Sequence, residues 1–164
     1  MQRIYLDNAA TTAIRPEVVD EMANVMKNVF GNPSSTHVFG REAKALIEMS
    51  RKNIAQRLNV SPAEIYFTSC GTESNNTIIR SCVNDLDVMR IITTDMEHKC
   101  VQESVKTEEY KGNVEVIRLN IFKDGNIDYT QLEELLKDQS KKTLVSLMHA
   151  NNEIGNLTDV KHIS

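Results

Sequence analysis

From Ile65 onward, short apolar runs alternate strictly with stretches of helical period. The runs at 65–68, 90–94, 114–119 and 143–149 read as strands. The stretches at 73–86, 98–110 and 129–138 read as helices, and another helix starts near Thr158. The strand runs are apolar almost throughout: Ile91-Ile92, then Val114, Val116 and Ile117, then Leu144-Val145. Such runs suit a sheet with both faces covered. Strands joined through helices must pair in parallel with right-handed crossovers, so this rhythm predicts a three-layer α/β domain around a mostly parallel sheet. Its punctuation agrees: Gly112 marks a helix end, Asp124-Gly125 a turn, and Asp128 with Gln131 a capping pair.

Before Ile65 the pattern is looser. Residues 4–12 form an extended piece ending in small polar residues. Pro16 opens a helix with Val18, Met22, Val25 or Met26, and Val29 on one face. Residues 30–35 are a loop by composition. A longer helix runs from about Arg41 to Leu58, with Ile47, Ile54 and Leu58 expected to face inward. Asn59 is its stop, and Ser61 to Glu64 a short capped turn.

Length and charge exclude several classes. A chain of 164 residues is enough for a domain with a real core. Nineteen basic against 23 acidic residues, net −4, argue against a nucleic-acid partner. No apolar run approaches membrane-spanning length, so no membrane partner is expected. No charged-then-apolar leader opens the chain, which favours a cytoplasmic location. Cys70, Cys82 and Cys100 are odd in number and form no CxxC pair; they read as reduced thiols.

In open α/β sheets, ligands sit outside the carboxyl ends of the strands. Ser69 to Thr72 follow the first strand, Glu97-His98 the second, and His149-Ala-Asn-Asn-Glu-Ile-Gly155 the fourth. The first turn leads into a helix whose opening N–H groups lack partners, a setting for an anion. Ser69 and Thr72 add hydroxyls there, and Gly71 permits close approach to the backbone. The lysine of a nucleotide P-loop and the spaced glycines of a dinucleotide fingerprint are both missing. An imidazole can stack on a planar ring or move protons, and an asparagine amide can donate to a phenolate-like oxygen. Together these suit a phosphorylated heteroaromatic cofactor, with pyridoxal phosphate the obvious candidate.

Each residue also has an ordinary reading. The small residues at 69–72 serve equally as a connection and N-cap. His98 can simply begin a helix, His149 can pack or cap, and Asn151-Asn152 can form a turn. Cys70 reads as a small packing residue beside the turn. Cys100 near His98 is at most half a metal site, and no metal is expected.

Five segments carry a family resemblance: Tyr5-Leu-Asp-Asn-Ala-Ala-Thr-Thr12, Phe30-Gly-Asn-Pro-Ser-Ser-Thr-His37, Phe67-Thr-Ser-Cys-Gly-Thr-Glu-Ser74, Glu97-His98 and Asn151-Asn-Glu-Ile-Gly155. In order and spacing they resemble pyridoxal-phosphate cysteine desulfurases of the class V aminotransferase group. The resemblance implies the aspartate-aminotransferase type of fold (PLP fold type I), present only in part. Residues 1–15 would belong to the small domain and active-site mouth, and 16–164 to the large cofactor-binding domain. It implies that Gly71 and Thr72 bind the cofactor phosphate. His98 would stack on the pyridine ring and act in catalysis, and Asn152 would contact the ring hydroxyl near the substrate carboxylate.

The implied chemistry takes sulfur from L-cysteine, leaves alanine, and passes a persulfide to an acceptor or scaffold protein for iron–sulfur cluster or related assembly. The implied full-length protein is a homodimer. A selenocysteine lyase, a small-amino-acid aminotransferase and a non-catalytic binding module on the same fold are the alternatives. Family members are more than twice this length. The resemblance places the cofactor-bonding lysine, the aspartate facing the pyridinium nitrogen and the persulfide cysteine beyond Ser164. The chain is therefore expected to be a piece of a longer enzyme, and inactive alone. Strand 65–68 would be separated from its sheet by strands that come later in sequence, so it is expected to associate, swap or repack.

Overall fold

The computed structural model describes residues 3–163. The chain divides into two units, residues 1–67 and 68–164.

In the first unit, α1 spans Pro16–Asn28 and α2 spans Val38–Leu58. Proline at the first position starts α1 with its fixed φ. α2 begins three residues earlier than Arg41, because the His37 imidazole accepts the Gly40 N–H at 3.4 Å. Asn59 stops it in the left-handed region, φ 56°, with its N–H on Ala55 and Gln56 carbonyls. Ser61 and Glu64 close a reciprocal capping box around the 3-10 turn Pro62–Glu64.

The expected inward face of α2 is not buried. Gly40, Ala43 and Ala55 are its buried residues, while Ile47, Ile54 and Leu58 are exposed. α1 buries nothing. The patterns make amphipathic helices, but the element packed most closely on α2 is the short 3-10 turn, too small to cover the face.

Segment 65–68 differs from expectation as well: it forms no ladder among the described residues. The Arg51 guanidinium donates to the Ile65 carbonyl and lies over the Phe67 ring, 4.9 Å from its centroid. Tyr66 is left exposed. A β-prone run becomes a strand only when another strand accepts its N–H and C=O groups.

In the second unit the alternation holds: α3 Gly71–Asn84, β1 Arg90–Thr93, α4 Lys99–Tyr110, β2 Glu115–Arg118, α5 Tyr129–Lys137, β3 Thr143–Val145 and α6 Val160–Ile163. The strands pair in parallel in the order β2-β1-β3. β1 is buried along its whole length, and Ile91 and Ile92 are both 0% exposed. They serve opposite faces. Ile91 packs with Ile79 and Val83 of α3 and Val101 and Val105 of α4. Ile92 packs with Leu119, Ile127 and Leu132, joined by Leu135, Leu136 and Ile163. Helices therefore cover both sides of the sheet, as the apolar strands require.

Turn chemistry secures the connections. Gly125 sits at φ 82° with the Asn156 amide against it, and Asn156 Nδ2 donates to the Asp124 carbonyl at 2.8 Å. Asp128 caps α5 by accepting the Gln131 N–H at 2.9 Å. Gln131 does not reciprocate; its side chain takes the Asn120 N–H at 2.7 Å. β3 is shorter than the run 143–149, because after Ser146 the Met148 N–H leaves the ladder for a side-chain carboxylate.

Candidate functional site

All the candidate site residues lie in the second unit. The start of α3 is partly satisfied from within. Ser74 is the first residue of the helix start to donate its N–H to the carbonyl behind it, Cys70 O at 3.2 Å. The Ser69 N–H is taken by the Glu73 carboxylate at 2.6 Å. The Ser69 bonds, led by its side chain, hold the Glu73 carboxyl below the usual range. The Ser69 N–H is thus unavailable to an anion, which leaves Gly71 and Thr72 as the expected phosphate contacts at the helix start. Around Gly71 the space is open: a Cβ there would meet nothing within 4 Å.

Cys70 is exposed, so it is not the packing residue expected. The Glu73 amide, then the Ser69 hydroxyl and the Thr72 amide, hold its thiol below the ordinary value.

His98 caps α4. Its Nδ1 accepts the Cys100 N–H at 3.2 Å and lies 3.0 Å from Cys100 Sγ. In the neutral ring the proton then belongs on Nε2. Asn75 Nδ2 donates to the same sulfur at 3.2 Å, which ties α3 to α4. Two hollows meet at His98. One, of about 390 Å³, is lined by Thr72, Asn76, Cys100 and Glu103 among others. The other, of about 350 Å³, is lined by Glu97, Asn151, Asn152 and Ile154 among others. His98 and Lys99 border both. Three of the four expected residues thus line adjoining hollows, while Gly71 stands at the helix start beside Thr72.

The paired asparagines divide their work. Asn151 is structural: its Oδ1 accepts the Glu153 and Ile154 N–H groups at 2.8 and 3.1 Å, and its Nδ2 donates to the Met96 carbonyl at 3.1 Å. Asn152 is exposed beside the second hollow. His149 is exposed too, and its carbonyl accepts the Thr158 N–H at 2.8 Å.

Glu97, noticed in the sequence only as part of a pair with His98, is 6% exposed. Its Oε1 accepts the Met148 N–H at 2.8 Å and the Thr94 hydroxyl at 3.1 Å. Burial pushes its carboxyl above the usual value, against the downward pull of those two bonds. No local signal marked it: its neighbours Asp95, His98 and Lys99 are themselves polar or charged.

The family model for aminotransferase class V matches residues 4–164. The chain belongs to the aminotransferase class-V family. This class-V chain is 41% identical to the cysteine desulfurase IscS of Dictyoglomus turgidum, over 99% of the chain and 41% of that relative. It is 40% identical to the mitochondrial cysteine desulfurase of Saccharomyces cerevisiae, over 98% of the chain and 32% of that relative. A solved NifS-like protein superposes with TM-score 0.89 at 39% identity, covering 99% of this chain and 44% of that one. SspA, solved in complex with cysteine, gives TM-score 0.83 at 31% identity, covering 94% and 44%. The class-V chain spans about a third to two fifths of the length of the curated relatives it matches. Its β2-β1-β3 sheet with helices on both faces is part of the PLP fold type I. Cysteine desulfurases of this family depend on pyridoxal phosphate. Among the described residues no cluster of three or more His, Cys, Asp or Glu could hold a metal, and no helix is long and apolar enough to cross a membrane.

Proposed function

We propose that this chain is the N-terminal, cofactor-binding part of a pyridoxal-phosphate-dependent cysteine desulfurase. The whole enzyme converts L-cysteine to L-alanine and an enzyme-bound persulfide. The observation that carries the reading is the position of His98 between two hollows, one bordered by Thr72 and the other by Asn152. Relatives named cysteine desulfurase, at about 40% identity over nearly the whole chain, support the same reaction.

The residues present fit the cofactor. Gly71 and Thr72, at an α3 start with open space around it, would hold the phosphate. The exposed His98 ring would lie against the pyridine, its orientation fixed through the Nδ1 contact with the Cys100 N–H. With Nδ1 so occupied, Nε2 is the nitrogen left to hold or pass a proton. The Asn152 amide would donate to the ring oxygen and sit near the substrate carboxylate. When bound, the cofactor supplies an electron sink for cleavage chemistry at the amino acid. By itself the 164-residue chain is proposed to bind without turnover. The full-length protein is proposed to be a homodimer that hands sulfur to an acceptor or scaffold protein for iron–sulfur assembly. We place it in the cytoplasm, supported by the three free thiols.

The test is made in the full-length enzyme. Thr72→Ala should weaken cofactor affinity about 10-fold, the scale of one lost charge-assisted hydrogen bond. His98→Ala should impair both cofactor binding and turnover. Asn152→Ala should shift the cofactor absorbance and raise KM for L-cysteine. Wild-type affinity, spectrum and alanine release in all three variants would remove the site and the reading with it.

A further inference from the structure

Two turns face each other across the hollow that borders Asn152. Residues 95–98 follow β1 and carry His98; residues 149–155 follow β3 and carry Asn152. Turns of this kind are ordinarily the most mobile parts of an α/β domain. Here both are held from below.

We infer that Glu97 is a positioning residue: its carboxylate, with the Asn151 amide, ties the His98 turn to the Asn152 turn and so sets the width of the hollow between them. This inference rests on the cofactor reading above and adds a residue that neither touches the ring nor moves a proton.

The ties run in both directions. Glu97 on the first turn accepts the Met148 N–H from the second strand end at 2.8 Å. Asn151 on the second turn donates to the Met96 carbonyl on the first at 3.1 Å. Each turn is also braced separately. Gln102 Nε2 donates to the Asp95 and Glu97 carbonyls at 2.9 and 2.7 Å, and Thr94 hydrogen-bonds the Glu97 carboxylate at 3.1 Å. Thr158 Oγ1 donates to the Met148 carbonyl at 2.7 Å, securing the far side of the second turn. The two residues nearest the proposed ring are left facing the hollow, while the residue before each is locked: Glu97 before His98, and Asn151 before Asn152.

Side-chain chemistry explains why an acid stands here. A carboxylate is an acceptor with two oxygens, so one group can take a backbone N–H and a hydroxyl together, and its charge strengthens both bonds. Burial of that charge opposes ionisation, and the carboxyl is pushed up accordingly. A cost of this kind is expected where geometry at a site matters more than stability. Glutamine offers the same acceptor oxygen without the charge. Alanine offers none and leaves the part-buried Met148 N–H without its side-chain acceptor.

The test compares Glu97→Gln and Glu97→Ala in the intact enzyme, with pyridoxal phosphate as the probe. Hydrogen exchange at the Met148 amide reports the tie, and exchange at Ile91 and Ile92 reports the core. In Glu97→Ala, Met148 should exchange at least about 10-fold faster while Ile91 and Ile92 stay protected, and the cofactor dissociation constant should rise about 10-fold. Glu97→Gln should restore both to within about 3-fold of wild type. Unchanged Met148 exchange and cofactor affinity in Glu97→Ala would overturn the inference, as would faster exchange with unchanged affinity. If the alanine variant loses core protection, Asn151→Asp decides, because it removes the Nδ2 donor to the Met96 carbonyl and keeps an oxygen acceptor for the Glu153 and Ile154 N–H groups. A rise in the cofactor dissociation constant with the core intact supports the latch, and no change overturns it. A wild-type enzyme that fails to bind pyridoxal phosphate refutes the functional reading instead, and the same Met148 exchange rates still decide whether Glu97 joins the turns.

Discussion

In residues 3–67 two long helices bury Gly40, Ala43 and Ala55 and no larger side chain, whereas in residues 68–163 one four-residue strand buries every side chain it has. Both regions carry apolar residues at regular spacing. In the second, α3, α4 and α5 find a sheet to pack on, and two apolar clusters form on its opposite faces. In the first, the apolar stripe of α1 borders a shallow hollow lined by Val18, Met22, Val25 and Met26, and α2 leaves Ile54 39% exposed. Amphipathic period is a statement about one surface of an element. Burial needs a second surface, and the two regions differ in whether this chain supplies it.

The largest effect expected from that contrast is in the core. Ile91→Ala or Ile92→Ala should cost about 2–5 kcal/mol, as fully buried isoleucines do. Ile54→Ala should stay within about 0.5 kcal/mol, as a side chain with little to lose. Urea unfolding of the three variants measures both, and a loss above about 2 kcal/mol at Ile54 would mean that its face is covered in solution.

Caps give the next scale. Asp128→Ala removes the acceptor of the Gln131 N–H and should lower the main unfolding transition by about 1 kcal/mol. Ser61→Ala removes the acceptor of the Ala63 N–H in the first region. It should leave the main transition in place and speed amide exchange only at residues 61–65. Equal shifts of the main transition would show that the two regions unfold together.

A smaller effect depends on pH. Burial raises the Glu97 carboxyl, so its folded value lies above its unfolded one. Its contribution to stability is complete below the ordinary glutamate range, near about 4.3, and is lost as pH rises through the folded value. Glu97→Gln has no charge to bury. It should melt close to wild type near pH 4 and above it at pH 7.5, with the gap widening between. A gap that closes as pH rises would reverse the assignment of burial as the dominant cause.

The smallest effect leaves stability untouched. Cys70 is exposed, and the Glu73 amide leads the contacts that lower its thiol. Iodoacetamide should label it at lower pH than an unstructured cysteine peptide, and ahead of Cys82 at pH 7. Mass spectrometry of the timed digests reads the order, and Cys82 leading would contradict it.

The places of two candidate residues were legible because strand ends are legible: His98 and Asn152 each follow an apolar run, and parallel topology puts both at one edge. Thr72 follows 65–68, which joins no ladder among the described residues, and meets the His98 hollow from the start of α3. The latch beneath His98 and Asn152 was not legible. Glu97 and Met148 lie 51 residues apart in sequence, and nothing local marks a methionine N–H as the partner of a glutamate. Ser69 shows the opposite failure. Its place in a small-residue turn offered an anion both a hydroxyl and an N–H, but the Glu73 side chain, four residues on, already takes the N–H.

By itself the sequence determined what depends on near neighbours. It set the helices of the second unit to within about two residues at each end, the stops at Asn59 and Gly112, the Asp128 cap and the alternation that demands a parallel sheet. Those features rest on backbone sterics, capping and side-chain period, which act over a few residues. Tertiary structure decided what depends on partners far along the chain. It chose the order β2-β1-β3, released Met148 from its ladder, and left 65–68 beside Arg51 with no strand to pair with. It also left the stripes of α1 and α2 uncovered. A hydrogen bond or a buried face is a property of two groups, and a local pattern describes only one of them.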